Sequence, residues 1–216
     1  MELSIPQIIS TFSALLPIII GSFALKRDKL VKYFWFFLLI GFFNDNAQMI
    51  YIISGESEKI LEIAVLGQNI YSLIDACFLF LFLGLLQFSK KSKEILFAAS
   101  ILMIPTWYIC YFIIKDAWFV QSTLSGLYDG GYAMLLSVAS AFTLLQMTKP
   151  NQQTQLWKIW LCVGIFFYNF CSFFIHAFIG ESIISNIWYV SSIINILTML
   201  LYSIGMYYAL NKRQIT

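Results

Sequence analysis

Seven apolar stretches, each about the length of a bilayer crossing, are separated by short polar breaks in a chain of 216 residues. They run over residues 6–25, 33–53, 60–86, 95–114, 117–147, 156–179 and 183–210. A helix needs about 20 apolar residues to cross the hydrocarbon core, and every stretch reaches that length. Barrel strands would alternate apolar and polar side chains, whereas a run such as Phe78 to Leu86 does not alternate. The expected fold is therefore all-α: a polytopic integral membrane protein with seven transmembrane helices forming one heptahelical domain over residues 1–216. A content of 60% hydrophobic and 11% charged residues agrees, since soluble domains carry about a quarter charged residues. On this reading crossing the bilayer uses nearly the whole chain, leaving no soluble catalytic or signalling domain. Met1 to Ile5 lacks the basic flank of a signal peptide, so the first stretch is expected to stay in the mature protein.

Orientation follows from the cations. The first, third and fifth loops and the C-terminal tail hold eleven of the thirteen Lys and Arg residues, and the opposite side holds only Lys59 and Lys115. Cytoplasmic loops collect Lys and Arg, so the N-terminus is expected outside and the C-terminus in the cytoplasm, with the cell (inner) membrane as the expected location. A net charge of +2, spread over short runs, does not point to nucleic acid.

Shifting the chain by 125 positions aligns Phe42-Phe43-Asn44 with Phe167-Tyr168-Asn169 and Gly55-Glu56-Ser57 with Gly180-Glu181-Ser182, while Trp35 falls on Trp160. The second and sixth helices would run in the same direction, so the match predicts a parallel 3+1+3 internal repeat, as in several transporter families. No family resemblance is recognised. The Pro6-Gln7 pair has no counterpart in the fifth span, and no lysine between Trp188 and Leu210 could carry retinal.

Polar residues inside the spans are the candidate functional groups. An ionisable side chain at mid-bilayer costs about 3 kcal/mol or more, and the chain places Asp45, Asp75, Asp129 and His176 there. Asn44, Gln68, Asn69, Asn169 and Asn195 accompany them. Gln68, Ser72 and Asp75 share one face of the third helix; Asn169, Ser172 and His176 share one face of the sixth. Stripes on several helices are satisfied together by facing a common interior, which predicts a polar, acidic cavity opening to the outer side. Asp75 and Asn195, both near mid-membrane, are expected to lie close together. Carboxylates without a basic residue in the membrane are candidates for proton or cation binding. The lone His176 reads first as an ordinary hydrogen-bonded residue, although an imidazole can change charge near neutral pH.

Pro17 and Pro105 lie inside the first and fourth spans and are expected to bend them. Gly126, Gly130 and Gly131 in the fifth predict a kink or a close helix contact. Cys77, Cys110, Cys162 and Cys171 have no metal-ligand spacing and read as packing residues, so no metal or cofactor is expected. Three activities remain open. One is binding or transport of a small molecule, proton or cation through the acidic cavity. Another is a receptor-like sensor working through a separate cytoplasmic protein partner. The last is a lipid-modifying intramembrane enzyme or an accessory, pore-forming effector. The enzyme reading is the weakest, because one histidine cannot build a three-histidine zinc site and no GxSxG elbow is present. Membrane lipid is the one partner common to all.

Overall fold

The computed structural model describes residues 5–53, 58–113, 123–149, 154–178 and 184–211. Among them the chain is entirely helical: α1 (Ile5–Ser13), α2 (Leu15–Ala24), α3 (Lys29–Ile53), α4 (Glu58–Leu86), α5 (Lys90–Tyr108), α6 (Thr123–Met147), α7 (Leu156–Phe178) and α8 (Ile184–Asn211), with a π-helical turn at Ile109–Ile113 extending α5. Helices suit such a chain because every backbone polar group is bonded within its own segment. Six of them are long and apolar enough to cross a membrane, with α1 and α2 counted as one rod. The second expected span, α3, also has the length of a crossing, at 25 residues, and carries Asn44, Asp45, Asn46 and Gln48 within it. The chain is thus a helical bundle of the polytopic membrane type. The loops carrying Gly55-Glu56-Ser57, Lys115-Asp116 and Gly180-Glu181-Ser182, residues 117–122 of the expected fifth span, and Lys212 and Arg213 lie outside the described residues.

The first rod breaks at Ala14, three positions before Pro17. Proline has no N–H to offer the carbonyl of Ser13, so the helical ladder is interrupted there. The Ser13 hydroxyl donates back to the Ser10 carbonyl at 2.6 Å across the same turn. In α5 the helix runs through Pro105 and then widens into the π turn, where the Ile109 N–H is shared between the carbonyls of Pro105 and Thr106. The fifth span is unbroken in its described part, so Gly130 and Gly131 produce no interruption of α6. Gly130 makes the close contact: a Cβ there would lie 3.3 Å from the Cβ of His176 on α7. The fourth helix starts at Lys90, earlier than residue 95, because Ser89 is extended (φ −85°, ψ 130°) and the charged turn after it is already helical, with Lys90 facing Glu94 at 3.9 Å.

Packing follows a ring. The α1–α2 rod and α3 are neighbours, α3 packs on α4, α4 on α6, α6 on α7, α7 on α8, and α8 returns to α1 and α2, while α5 lies outside the ring against α4. The half nearest the basic loops is filled with apolar side chains. Phe34 meets Phe82 and Tyr202 at ring separations of 4.9 Å each. Leu83, Leu136, Leu161 and Met206 are fully enclosed around them. Glycines bring α7 and α8 together: a Cβ on Gly164 would lie 2.5 Å from Cε1 of Tyr202. Buried hydroxyls such as Ser140, Thr143 and Ser203 also lie in this half, whereas Asp45, Asp129 and His176 lie in the opposite one.

Candidate functional site

Asp129 stands on α6 against α4 and α5. The Ser72 hydroxyl donates to its Oδ1 at 2.6 Å, and the Tyr111 hydroxyl reaches its Oδ2 at 3.5 Å. Tyr111 comes from the π turn and stacks on Trp107 at 5.4 Å, while the Trp107 indole donates to the carbonyl of Asn69 at 2.9 Å. The π turn therefore delivers a phenol to the carboxylate, and α5 is tied to α4 through the backbone of one predicted site residue. His176 of α7 is in electrostatic contact with Asp129, its ring brought near by Gly130. The His176 Nδ1 has no hydrogen-bond partner among the described residues.

Asp75, two turns of α4 nearer the basic end than Gln68, is 5% exposed. The phenol of Tyr132 on α6 is its hydrogen-bonding neighbour, and Asp129 lies within electrostatic range. Tyr71, Tyr168 and Tyr202 also interact with the Asp75 carboxylate, so α4, α6, α7 and α8 all contribute a tyrosine to its surroundings. None of the stretches 33–53, 68–86, 95–113, 127–147, 159–178 or 189–211 contains Lys or Arg. Tyr71, Tyr132 and Tyr168 retain accessible surface although they sit deep in the bundle.

Asn44 and Gln68 join α3 to α4 through a hydrogen bond of 2.8 Å from the Asn44 amide to the Gln68 carbonyl. Asp45 is half-buried beside them and interacts with Asn44, Tyr71 and Tyr168. Asn169 is fully buried on α7. Its amide donates to its own helix at Ile165 (2.9 Å), and its Oδ1 has no partner among the described residues. Asn195 turns toward the first rod, donating to the Ser10 hydroxyl at 2.9 Å. Its amide thus ties α8 to α1, while the groups around Asp75 are tyrosines.

Among the described residues no three His, Cys, Asp or Glu side chains are placed to hold a metal. The tyrosines Tyr71, Tyr111, Tyr132 and Tyr168, neighbours of these acids, are absent from the sequence-based set. For Tyr71, Tyr132 and Tyr168 the signal was spacing: Tyr71 and Asp75, Tyr128 and Tyr132, and Tyr168 and Ser172 each stand at i and i+4 on one helix face. No known protein family, curated protein or solved structure matches the chain.

Proposed function

We propose that the chain is a seven-span protein of the cell membrane, N-terminus outside and C-terminus cytoplasmic, whose acidic intramembrane site binds and carries a proton, a cation or a small cationic molecule. One observation carries this reading. Asp75 is almost fully enclosed and its surroundings supply phenols but no Lys or Arg. A bare carboxylate in such a setting is costly unless its charge is compensated, and a proton or a bound cation would supply the compensation. Accessible surface on Tyr71, Tyr132 and Tyr168, deep in the bundle, supports an internal space beside it.

The ring order supports the parallel repeat. The first rod, α3 and α4 follow one another in the ring, as do α6, α7 and α8, and the two triplets meet through α4 with α6 and α8 with α1 and α2. A two-fold axis along the bundle would exchange those two junctions. The polar stretch of α3 also fits a span that lines a site, where Asn44 and Asp45 face protein and an internal space more than lipid.

The test is flux. Purified protein in vesicles loaded with a pH-sensitive dye is challenged with a proton gradient and with K⁺ or Na⁺ gradients. Asp75→Asn should abolish the response and Asp75→Glu should retain part of it. A response equal in wild type and Asp75→Asn would sink the proposal, and a cation-dependent structural change with no flux would favour the sensor reading.

A further inference from the structure

Two helices open on the same pattern. In α3 the first and fourth residues are Lys29 and Lys32, the eighth is Phe36, the twelfth is Ile40 and the fifteenth is Phe43. The same places in α5 hold Lys90, Lys93, Phe97, Ile101 and Ile104. The shift of 125 positions pairs α3 with α7, so the shared pattern is no product of that repeat. Spacings of three and four place all five side chains on one helix face. The geometry is shared as well: the Lys32 Nζ lies 5.9 Å from the centroid of the Phe36 ring, and the Lys93 Nζ lies 5.4 Å from that of Phe97. Both rings are backed by protein. Phe36 meets Trp35 edge-on at 5.2 Å, and a Cβ on Gly84 of α4 would lie 2.7 Å from Cε1 of Phe97. Beyond the rings each face is open, with Ile40 and Phe43 exposed on α3 and Ile101 and Ile104 exposed on α5.

A preference of Lys and Arg for one side of the membrane is met by any placement in the loops. It does not ask for an ammonium at the head of an exposed apolar strip. From Lys32 to Phe43 that strip runs about 16 Å along the helix, close to one leaflet of a hydrocarbon core about 30 Å thick. The charge there is also uncompensated. Nine Lys and Arg residues stand at this end against Asp28 and Glu94 among the described residues. Asp28 accepts the Leu30 N–H and Glu94 faces Lys90 at 3.9 Å, which leaves Lys29, Lys32 and Lys93 without an acid partner among the described residues. Cations with hydrocarbon beneath them match one class of molecule. We infer that each face seats an anionic phospholipid, its phosphate against the two lysines of the first turn and an acyl chain along the apolar strip. A zwitterionic lipid would bring a further cation to a cationic rim, and free phosphate would leave the strip unused. Helix α7 starts at the same end with Lys158 over Trp157 at 5.5 Å, but Cys162, one turn on, is buried, so it has the charge without the strip. Neither seat depends on the acidic site. The α5 seat lies on a helix apolar enough to cross a membrane, and the α3 seat rests on the seven-span reading.

The full chain purified in a non-ionic detergent is offered equal amounts of phosphatidylglycerol and phosphatidylcholine with matched acyl chains, and bound lipids are counted by native mass spectrometry. Phosphatidylglycerol should be retained in preference, one molecule at each seat. Lys29→Gln with Lys32→Gln, and Lys90→Gln with Lys93→Gln, should each empty one seat, weakening its affinity on the order of tenfold. Lys158→Gln, which takes a charge from the same end, should leave retention unchanged. Glu94→Gln removes the acid beside the α5 pair and should tighten binding there. If a double variant elutes as an aggregate, Lys32→Gln or Lys93→Gln alone replaces it. Unchanged retention in one double variant overturns the seat on that helix. Equal retention of the two lipids overturns both seats, as does a loss with Lys158→Gln as large as with either pair, which would mark a diffuse basic field. Displacement of the lipid by free glycerol phosphate would mark a phosphate site with no use for the strip and would overturn the inference as well.

Discussion

Removing the Ser72 hydroxyl and removing the Tyr128 hydroxyl should move stability in opposite directions. Ser72 donates to Asp129 at 2.6 Å, so Ser72→Ala removes a partner from a half-buried carboxylate oxygen and should cost about 1 kcal/mol in detergent unfolding. The Tyr128 hydroxyl has no partner among the described residues, so Tyr128→Phe should leave the ligand-free protein as stable or more so by about 1 kcal/mol. A Tyr128→Phe variant that unfolds as early as Ser72→Ala would mean that the hydroxyl is already satisfied. Glycines give a second opposed pair. A Cβ on Gly164 would lie 2.5 Å from the Tyr202 ring, so Gly164→Ala should destabilise by about 1–3 kcal/mol through overpacking. Gly131 has no atom within 4 Å of its would-be Cβ, so Gly131→Ala should gain up to about 1 kcal/mol of helix propensity. At this scale the acids were legible in the sequence because charge inside an apolar run is conspicuous. The tyrosines around Asp75 were not, because Tyr is nearly neutral in hydropathy and equally at home in a core or at a membrane interface. The sequence puts Asn195 and Asp75 at a similar depth, but depth read along a chain carries no azimuth around the bundle, and the Asn195 amide goes to Ser10.

Local helix breaks are where a single residue sets the shape of an element. The carbonyl of Ser13 loses its bond because Pro17 cannot donate, and α1 and α2 part at Ala14. Pro17→Ala would restore that donor and allow one continuous rod. Spin labels at Thr11 and Ser22, both on the rod, should then report a changed and narrower distance distribution; an identical distribution would show that packing against α8, rather than proline, imposes the break. The Trp35 indole, which donates to the Ile18 carbonyl at 2.7 Å, would hold the α2 half in place in either case. The prolines were visible in the sequence, but the π turn was not. Nothing in Ile109–Ile113 departs from an ordinary apolar helix, and the extra residue per turn becomes intelligible only beside Asp129, toward which it turns Tyr111. Element ends were legible to within a few residues because charged clusters such as Lys26-Arg27-Asp28-Lys29 mark them, and the Asp28 carboxylate accepts the Leu30 N–H at 2.8 Å where α3 begins.

At the scale of the whole molecule, the difference between the end that holds the aromatic core and the end that holds Asp129 and His176 has a direction only if the orientation is known. Helix packing alone is indifferent to which end faces the cytoplasm. The asymmetry lies in the cations: Lys26, Arg27, Lys29, Lys32, Lys90, Lys91, Lys93, Lys149 and Lys158 all stand at the end where Phe34, Phe82, Leu161 and Met206 close the core. By the preference of Lys and Arg for the cytoplasmic side, that packed end is expected to face inward and the end with Asp129 and His176 outward. A single cysteine at Ser57 or Ser182, introduced into a variant with Cys77, Cys110, Cys162 and Cys171 replaced by Ala or Ser, should therefore be labelled on intact cells by an impermeant thiol reagent, whereas a cysteine at Lys91 should be labelled only after lysis. The same experiment separates an even from an odd number of crossings. If α3 did not span, Ser57 and Lys26 would lie on one side, and a cysteine at Lys26 would be labelled together with one at Ser57. Labelling at Lys91 on intact cells, with Ser57 protected, would invert the protein, and the acidic site would then open to the cytoplasm, exchanging the source and the destination of whatever cation it carries.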